Sequence, residues 1–403
     1  MTSESSFGML FDDRVDTCYA AHMSSAPAIT RLLNMEELLE KKSHFLLGPR
    51  QTGKSFLIAQ SFRNVRVYDL LDTSVYLALS QRPQRLAEEL TPKNRIVVID
   101  EIQRLPGLLN EVHRLIEQRG IRFLLTGSSV RKLRQGGVNL LGGRARTKYL
   151  HPLTHKELGE HFDLNRFITR GGLPSIYFSE ESRADLDAYT GSYLQQEIVA
   201  EGATRNIAAF SRFLKVAAYC NATIVNFTNV ATDAQVPRTT IYEYFEILKD
   251  TLIIHELPAW RETKQRKPLA SSKYYFFDIG VVAAIQERQY RRGTPEYGEA
   301  METYLFHELK SYVNYVSGEP LAFWKSKSGF EVDFILGDHT AIELKASENV
   351  GPNDLKSLKA LAEERKLKRY LCVSLEARRR QIGEVTILPI QEFLKNLWDE
   401  AYS

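Results

Sequence analysis

The segment Gly48-Pro49-Arg50-Gln51-Thr52-Gly53-Lys54-Ser55 has the residue types and spacing needed to hold a triphosphate. Gly48 and Gly53 permit a tight backbone path whose N–H groups wrap phosphate oxygens. Lys54 would bridge the β- and γ-phosphates, and Ser55 would give its hydroxyl to Mg²⁺. ATP with Mg²⁺ is therefore the expected ligand pair. The apolar run His44-Phe45-Leu46-Leu47 precedes the loop as a strand should, and Phe56, Leu57 and Phe62 follow it with helical spacing. A chance match in a glycine-containing loop is the competing explanation, and these flanks argue against it.

A second group of residues completes that chemistry. Arg95-Ile96-Val97-Val98-Ile99-Asp100-Glu101 is a short, β-branched run ending in two acids. It has the pattern of a strand buried on both faces of a parallel sheet. Asp100 falls at the carboxyl end, where open α/β sheets bind ligands. It would hold Mg²⁺ through water, while Glu101 polarises the attacking water. The next apolar run ends in Thr126-Gly127-Ser128-Ser129. Ser128 would sense the γ-phosphate from this strand tip or, with Ser129, cap the helix that follows. Arg144, in the turn Leu141-Gly142-Gly143-Arg144, would reach a nucleotide as an arginine finger, in cis or from a neighbouring subunit. Its alternative is a surface arginine packed over a turn.

The C-terminal third carries a separate constellation. Phe330-Glu331-Val332-Asp333-Phe334-Ile335-Leu336 reads as a strand with Asp333 inward, and Ala341-Ile342-Glu343-Leu344-Lys345 as the next. Glu343 and Lys345 alternate with Ile342 and Leu344, so acid and lysine share one face. Asp333 and Glu343 on adjacent strands would converge on a divalent cation through hard oxygen ligands. Lys345 would position or deprotonate a water there and stabilise developing phosphate charge. Glu302 lies at the edge of an apolar helical stripe upstream and would add a carboxylate. The competing explanation is a solvated strand face with a cross-charge pair.

Elements to hold these residues are legible too. Residues 27–158 alternate strand and helix patterns, with strands expected near 65–70, 95–101 and 122–127 and helices at 83–89 and 108–118. That order implies a parallel sheet with helices on both faces. A further β-rich stretch is expected at 149–153. Residues 204–262 turn helical, with a short helix, a turn around Ala234–Val236 and a longer helix capped by Thr239 or Thr240, a helix-turn-helix layout. A strand at 251–257, the basic turn 261–268 and a return strand at 273–277 would make a wing. Lys264, Arg266 and Lys267 are its candidate phosphate-positioning residues.

Composition bounds the function class. With 403 residues, two or three domains are expected. The net charge of +3 is too balanced to imply a polyanion partner by itself. Cys18, Cys220 and Cys372 are far apart and odd in number, which points to a reducing, cytoplasmic compartment without structural zinc. No run of eighteen apolar residues is present, so no membrane partner is expected.

With these motifs together, the chain resembles the prokaryotic AAA-type P-loop ATPases that carry a winged-helix middle domain and a PD-(D/E)XK nuclease-like C-terminal domain. The ATPase half of the resemblance rests on GPRQTGKS, VVIDEIQRLP, FLLTGSS, LLGGR and GGLPSIY (171–177). SKYYFFDIGV (272–281), FEVDF and AIELKAS carry the other half. The resemblance implies an α/β fold in which a polar leader (1–26) precedes an ATPase core (27–160). Lid and linker helices (161–203), a winged helix (204–280) and a nuclease-like domain (281–403) follow. It implies nucleotide roles for Lys54, Ser55, Asp100 and Glu101, and nuclease roles for Glu302, Asp333, Glu343 and Lys345. Gly172-Leu173-Pro174 resembles a lid motif that reports nucleotide state. Where the pattern expects an arginine-aspartate pair, residues 197–201 read EIVAE. The implied activity is ATP hydrolysis coupled to metal-dependent nuclease action on DNA. The alternative is an ATP-driven switch that binds protein or DNA without cutting. DNA, further copies of the chain and a protein partner at the winged helix are the expected partners.

Overall fold

A computed structural model describes residues 27–135, 141–193, 206–263 and 266–402. The leader, the EIVAE segment and Lys264 lie outside the described residues.

The apolar run before the phosphate loop forms β1 (Ser43–Leu47), with every residue buried. Together with β2 (Arg66–Asp69), β3 (Ile96–Asp100), β4 (Arg122–Gly127) and β5 (Ala145–Tyr149) it makes a wholly parallel sheet in the order β2-β3-β4-β1-β5. Alternate residues of the central strands serve two cores. Phe45, Leu47, Val97, Ile99, Phe123 and Leu125 pack into one, and Leu46, Val98 and Leu124 into another. Burial on both faces is why these strands read as continuous apolar runs rather than alternating ones. The acids of β3 are one strand removed from the phosphate loop, and the tip of β4 stands between them.

Two local expectations are corrected here. The fifth strand is Ala145–Tyr149 rather than 149–153, because it is an edge strand and its half-exposed faces carry Arg146, Thr147 and Lys148. Apolarity instead marked the exit from the sheet, where Leu150 and Leu153 are buried as the chain crosses over. An unforeseen helix, Thr73–Gln81, is capped by the Asp72 carboxylate and buries only Leu79, so it left no apolar stripe to read.

The middle of the chain runs helix Ile207–Tyr219, β6 (Thr223–Ile224), helix Phe227–Ala234, helix Arg238–Asp250, β7 (Ile254–Leu257) and β8 (Lys273–Phe276). These strands form an antiparallel sheet in the order β6-β8-β7. The Asn226 side chain caps the first helix of the pair, and Gln235 takes the left-handed conformation that turns the chain. The second helix starts directly after Pro237 with no side-chain cap, which places Thr239 and Thr240 inside its first turn.

The C-terminal module comprises helix Pro295–Tyr312, β9 (Leu321–Lys325), β10 (Glu331–Leu336), β11 (Thr340–Lys345), helix Lys356–Ala362, β12 (Arg369–Ser374), β13 (Arg380–Ile382), β14 (Val385–Pro389) and helix Ile390–Trp398. Its mixed sheet has the order β13-β14-β12-β11-β10-β9. The chain is thus α/β, a parallel five-stranded sheet followed by a C-terminal mixed sheet.

The loop between β7 and β8 was expected as an exposed basic tip, and it is docked instead. Trp260 N–H donates to the Phe323 carbonyl at 2.7 Å and Leu269 N–H to the Lys325 carbonyl at 2.8 Å, so the loop lies along the edge strand β9. Arg266 turns inward, donating to the Ala360 carbonyl at 2.8 Å and pairing with Glu363. It is therefore committed within the chain, and Lys267 remains exposed.

Candidate functional site

The phosphate loop leaves β1 where Gly48 N–H donates to the Gly127 carbonyl at 3.2 Å. A Cβ on Gly48 would stand 2.4 Å from the Leu150 carbonyl oxygen, so only glycine fits between β1 and β5. Gly53 is left-handed at φ 92° and opens the helix Lys54–Ser61. Thr52 Oγ1 donates to the Pro49 carbonyl at 2.8 Å and pins the turn from inside. Lys54 is buried, its ammonium donating to the Gly48 and Pro49 carbonyls at 2.7 and 3.0 Å. Gln51 is exposed at the loop tip, where the Ser175 hydroxyl donates to its amide oxygen at 3.5 Å, and Arg50 is half-buried beside it.

Across the crevice, Ser55 Oγ lies 3.3 Å from Asp100 Oδ2. The other Asp100 oxygen accepts from the Thr126 hydroxyl and, at 3.1 Å, from Glu101 N–H. Glu101 has left-handed backbone, φ 59° and ψ 43°, an uncommon state for a residue with a side chain. Its N–H, held by Asp100 and by Thr126 Oγ1 at 3.3 Å, fixes that conformation. Burial pushes the Glu101 carboxyl up and Asp100 adds to this, while Lys54, Arg50 and Gln103 oppose it.

No motif rule singles out Gln103 as one does its neighbours Asp100 and Glu101. Its side-chain amide donates to the Glu101 carboxylate and, at 3.2 Å, to Ser128 Oγ. A Cβ on Gly127 would meet its amide oxygen at 2.5 Å, so that glycine makes room for it. Ser128 thus joins the acid pair, and Ser129 does the capping, accepting from Arg131 N–H at 3.2 Å. The only signal was the position of Gln103, two residues after the acid. Arg31 was missed as well. It is buried, and its guanidinium donates to the Thr52 carbonyl at 2.6 Å, the His151 carbonyl at 2.6 Å and Glu157 at 2.8 Å. This one side chain ties the phosphate loop to the chain beyond β5.

Arg144 is not with these residues. Ala145 pairs with Ser43, the first residue of β1, whereas the phosphate loop follows the last. Arg144 therefore sits at the opposite end of the sheet from its own loop, paired with Glu117. That removes the cis reading of this arginine.

The lid motif does reach the loop. Pro174 Cγ is 3.8 Å from where a Cβ on Gly53 would be. The turn before it is held by Asp278, a buried carboxylate that accepts from Gly172 N–H at 2.6 Å and Val281 N–H at 3.1 Å. A Cβ on Gly280 would lie 2.3 Å from the Arg170 carbonyl oxygen, which shows how closely the two segments approach. Burial pushes Asp278 up to about 6, against those N–H donors.

The C-terminal acids form a second cluster. Asp333 sits where the β9–β10 register shifts, and its Oδ2 accepts from Leu344 N–H at 2.8 Å. Glu343 is buried; its Oε1 pairs with Lys345 at 2.8 Å, and its Oε2 accepts no hydrogen bond. Burial and the Glu302 and Glu343 carboxylates hold Asp333 well above the ordinary range, and burial pushes Glu343 up to about 6. Glu302 faces the cluster from helix Pro295–Tyr312, where Tyr275 OH donates to it at 2.7 Å. Lys273 pairs with Glu302 at 3.0 Å and Glu331 at 2.6 Å. Burial works against its charge, yet Glu302, Asp333 and Glu331 outweigh that and hold its ammonium above the ordinary range. Lys273, Tyr275 and Glu331 were not among the residues expected here, although the K-x-Y alternation in SKYYFFDIGV puts two of them on one strand face. Lys273 offsets part of the charge of these acids from within the chain. Among the described residues, no three His, Cys, Asp or Glu side chains gather closely enough to hold a metal ion.

Three family models match successive stretches of the chain. Residues 40–159 match the family described as an AAA domain. Residues 161–292 and 297–393 match two families described as domains of unknown function (DUF8612 and DUF4143). An uncharacterized protein of Mycobacterium tuberculosis is 25% identical over 296 residues, which cover 72% of this chain and 66% of that protein, just under two thirds of its length. One from Haemophilus influenzae is 22% identical over 321 residues, covering 71% of this chain and 79% of that protein. Among solved structures, a replication initiator DnaA bound to AMPPCP and single-stranded DNA is 14% identical, with a TM-score of 0.28, and the match covers 53% of this chain and 85% of that one. No described helix is long and apolar enough to cross a membrane. The family match and the geometry of the loop agree that residues 40–159 carry an AAA-type P-loop ATPase domain.

Proposed function

We propose that this chain is a Mg²⁺-dependent ATPase whose nucleotide cycle acts on a C-terminal module of the PD-(D/E)XK nuclease type, with DNA as the module's substrate. The observation that supports it most directly is the convergence of Ser55, Asp100, Glu101, Gln103 and Ser128 at the mouth of a glycine-framed loop. The donor set suits Mg²⁺, a hard cation that takes few protein ligands and keeps several waters. Bound Mg²⁺ would offset charge on the β- and γ-phosphates. Ser55 and Asp100 would hold it, the loop N–H groups would cradle the phosphates, and the Lys54 ammonium would exchange loop carbonyls for phosphate oxygens. Glu101 would orient the attacking water, with Gln103 and Ser128 setting the direction of its carboxylate.

In this reading residues 27–160 are the ATPase core, 161–203 the lid and linker, 204–280 a winged helix and 281–403 the nuclease-like module. The helix-strand-helix-helix-strand-strand order from 207 to 276 supports the middle assignment. Asp333 and Glu343, with Glu302, would be the acids of the cutting site and Lys345 its water-positioning base. A second reading, an ATP switch that binds DNA or a protein partner without cutting, is favoured by one observation. The ammonium of Lys273 sits among those acids.

Cleavage of single- and double-stranded DNA in Mg²⁺ or Mn²⁺, with and without ATP, separates the two. The first reading expects cutting that Asp333→Ala and Lys345→Ala abolish while ATP hydrolysis continues. If hydrolysis is robust and no DNA form is cut, the switch reading stands in its place.

A further inference from the structure

Because the sheet of the ATPase domain is wholly parallel, all its strands start at the end opposite the phosphate loop. Cations gather at that end. Lys42 leads into β1, Arg63 into β2, and Lys93 and Arg95 into β3, while Arg122 opens β4 and Arg146 is the second residue of β5. None of them has an ion pair among the described residues. Nearby carboxylates are engaged elsewhere, Glu37 with Lys41, Glu89 with Arg66 and Glu117 with Arg144, which leaves Glu40 against the row. Cations do offset helix dipoles where helices end. Lys93, Arg95 and Arg146, however, lie beyond the last turn of any described α-helix. Neighbouring strands stand about 4.8 Å apart, so the row crosses the breadth of the sheet. Arg122 N–H donates to the Arg95 carbonyl at 2.9 Å, and these two arginines enter side by side. Next to them a cavity of about 490 Å³ is lined by Thr91, Asn94, Arg95 and Arg119, with Leu90 and Ile121 buried beneath. Arg119 donates to the Ala87 and Leu90 carbonyls at 2.8 and 3.0 Å, which sets its guanidinium into the wall. The field reaches into the sheet. Burial first, then Arg146, Lys148 and Lys42, hold His44 of β1 below its ordinary range, opposed by its bond to the Lys42 carbonyl.

We propose that this end of the sheet is a docking face for duplex DNA, held through its phosphates. A row of unpaired cations across a sheet end complements the regular negative charge of a duplex backbone. Single strands are gripped by exposed aromatic platforms as well as by charge. The exposed aromatic rings among the described residues, Tyr219 and Tyr242, both belong to the middle of the chain and not to this domain. Phosphate contacts position a duplex without reading its sequence, so the face binds DNA of any sequence. It lies at the far end of the domain from Ser55, Asp100 and Glu101, and DNA and ATP can therefore occupy one domain without competing. The C-terminal acids take no part in it, so it stands whether or not that module cuts.

Fluorescence anisotropy of a labelled mixed-sequence duplex with the full chain tests it, in EDTA so that no metal-dependent cleavage intrudes. Arg63, Lys93 and Arg95 are exposed, so replacing them leaves the melting curve unchanged. Arg63→Gln, Lys93→Gln and Arg95→Gln together weaken duplex binding by about tenfold or more and make its dependence on log salt shallower by about 2.7, the loss of three phosphate contacts. Each change alone makes it shallower by about 0.9, and Arg63→Lys with Arg95→Lys binds as the wild type does. A saturating non-hydrolysable ATP analogue does not displace the duplex. Equal affinity and salt slope in wild type and triple variant overturn the proposal. So does a single strand or polyglutamate that binds as tightly as the duplex and is lost in the same variant. Failure here leaves the nuclease reading standing, because that reading is tested by cleavage in metal with Asp333→Ala and not by this face.

Discussion

Glu101 and Gln103 show how a buried carboxylate is aimed. The backbone of Glu101 is left-handed, a state that costs a residue with a side chain about 1–3 kcal/mol and persists only where its surroundings fix it. Asp100 and Thr126 supply that fixation through the Glu101 N–H, and Gln103 then sets the side chain. Glu101→Gln is expected to bind ATP as the wild type does while turnover falls by about 10²-fold or more, the usual weight of a positioned base. Gln103→Ala is expected to lower kcat with little change in KM, because it removes aim rather than binding. Steady-state ATPase kinetics check both, and unchanged kcat in Glu101→Gln would remove it from the mechanism. The placement of Lys54, Ser55 and Asp100 was legible because loop chemistry and strand ends fix it locally. Gln103, Thr126 and Arg31 were not, because their roles arise from partners that only the folded sheet brings near.

The helix Pro295–Tyr312 joins the two candidate sites. Near its middle Glu302 faces the acid cluster, while toward its end His307 and Glu308 face the chain that follows β5. His307 Nε2 lies 3.1 Å from the Leu153 carbonyl, and Glu308 accepts from His155 N–H at 2.7 Å and Trp398 Nε1–H at 2.8 Å. Its apolar stripe was readable as a helix, but the polar residues at the joint were not, since their burial comes from a distant segment. The edge strand β5 and the docked loop between β7 and β8 escaped for the related reason that polarity followed position in the assembled sheets. Burial pushes Glu308 up to about 7, opposed by its His155 and Trp398 hydrogen bonds, and Glu157 adds to the rise. The folded chain then keeps a proton that the unfolded chain releases near the ordinary glutamate value. Stability from this group therefore falls as pH rises from about 4.5 to 7. Burial drives His307 down to about 4 and His255 to about 3, which gives the opposite slope below their ordinary value. Comparing Glu308→Gln with the wild type cancels those histidines. The variant is expected to gain relative stability between pH 5 and pH 8, by up to about 3 kcal/mol. Urea unfolding midpoints at the two pH values measure it, and a difference that stays constant with pH sinks the assignment.

Arg144 belongs to a larger assembly or to none. Four residue steps of β1, about 13 Å of strand, separate its level in the sheet from the start of the phosphate loop. Its pairing with Glu117 is between partly exposed side chains, a contact worth about 0–1 kcal/mol, so little holds it there. A second copy packed head to tail could therefore present its nucleotide to this arginine, and such heterologous contacts close into rings. If so, each working site takes its phosphate loop from one subunit and its arginine from the next. Lys54→Ala and Arg144→Ala should then each be nearly inactive when pure. Mixed in equal amounts they should recover about a quarter of the wild-type ATPase rate, the share of random ring contacts that join an intact loop to an intact arginine. Sedimentation with a non-hydrolysable ATP analogue should show the assembly on which this depends. A mixture no more active than its components, with a chain that stays monomeric in nucleotide, would leave Arg144 as a surface arginine over a turn.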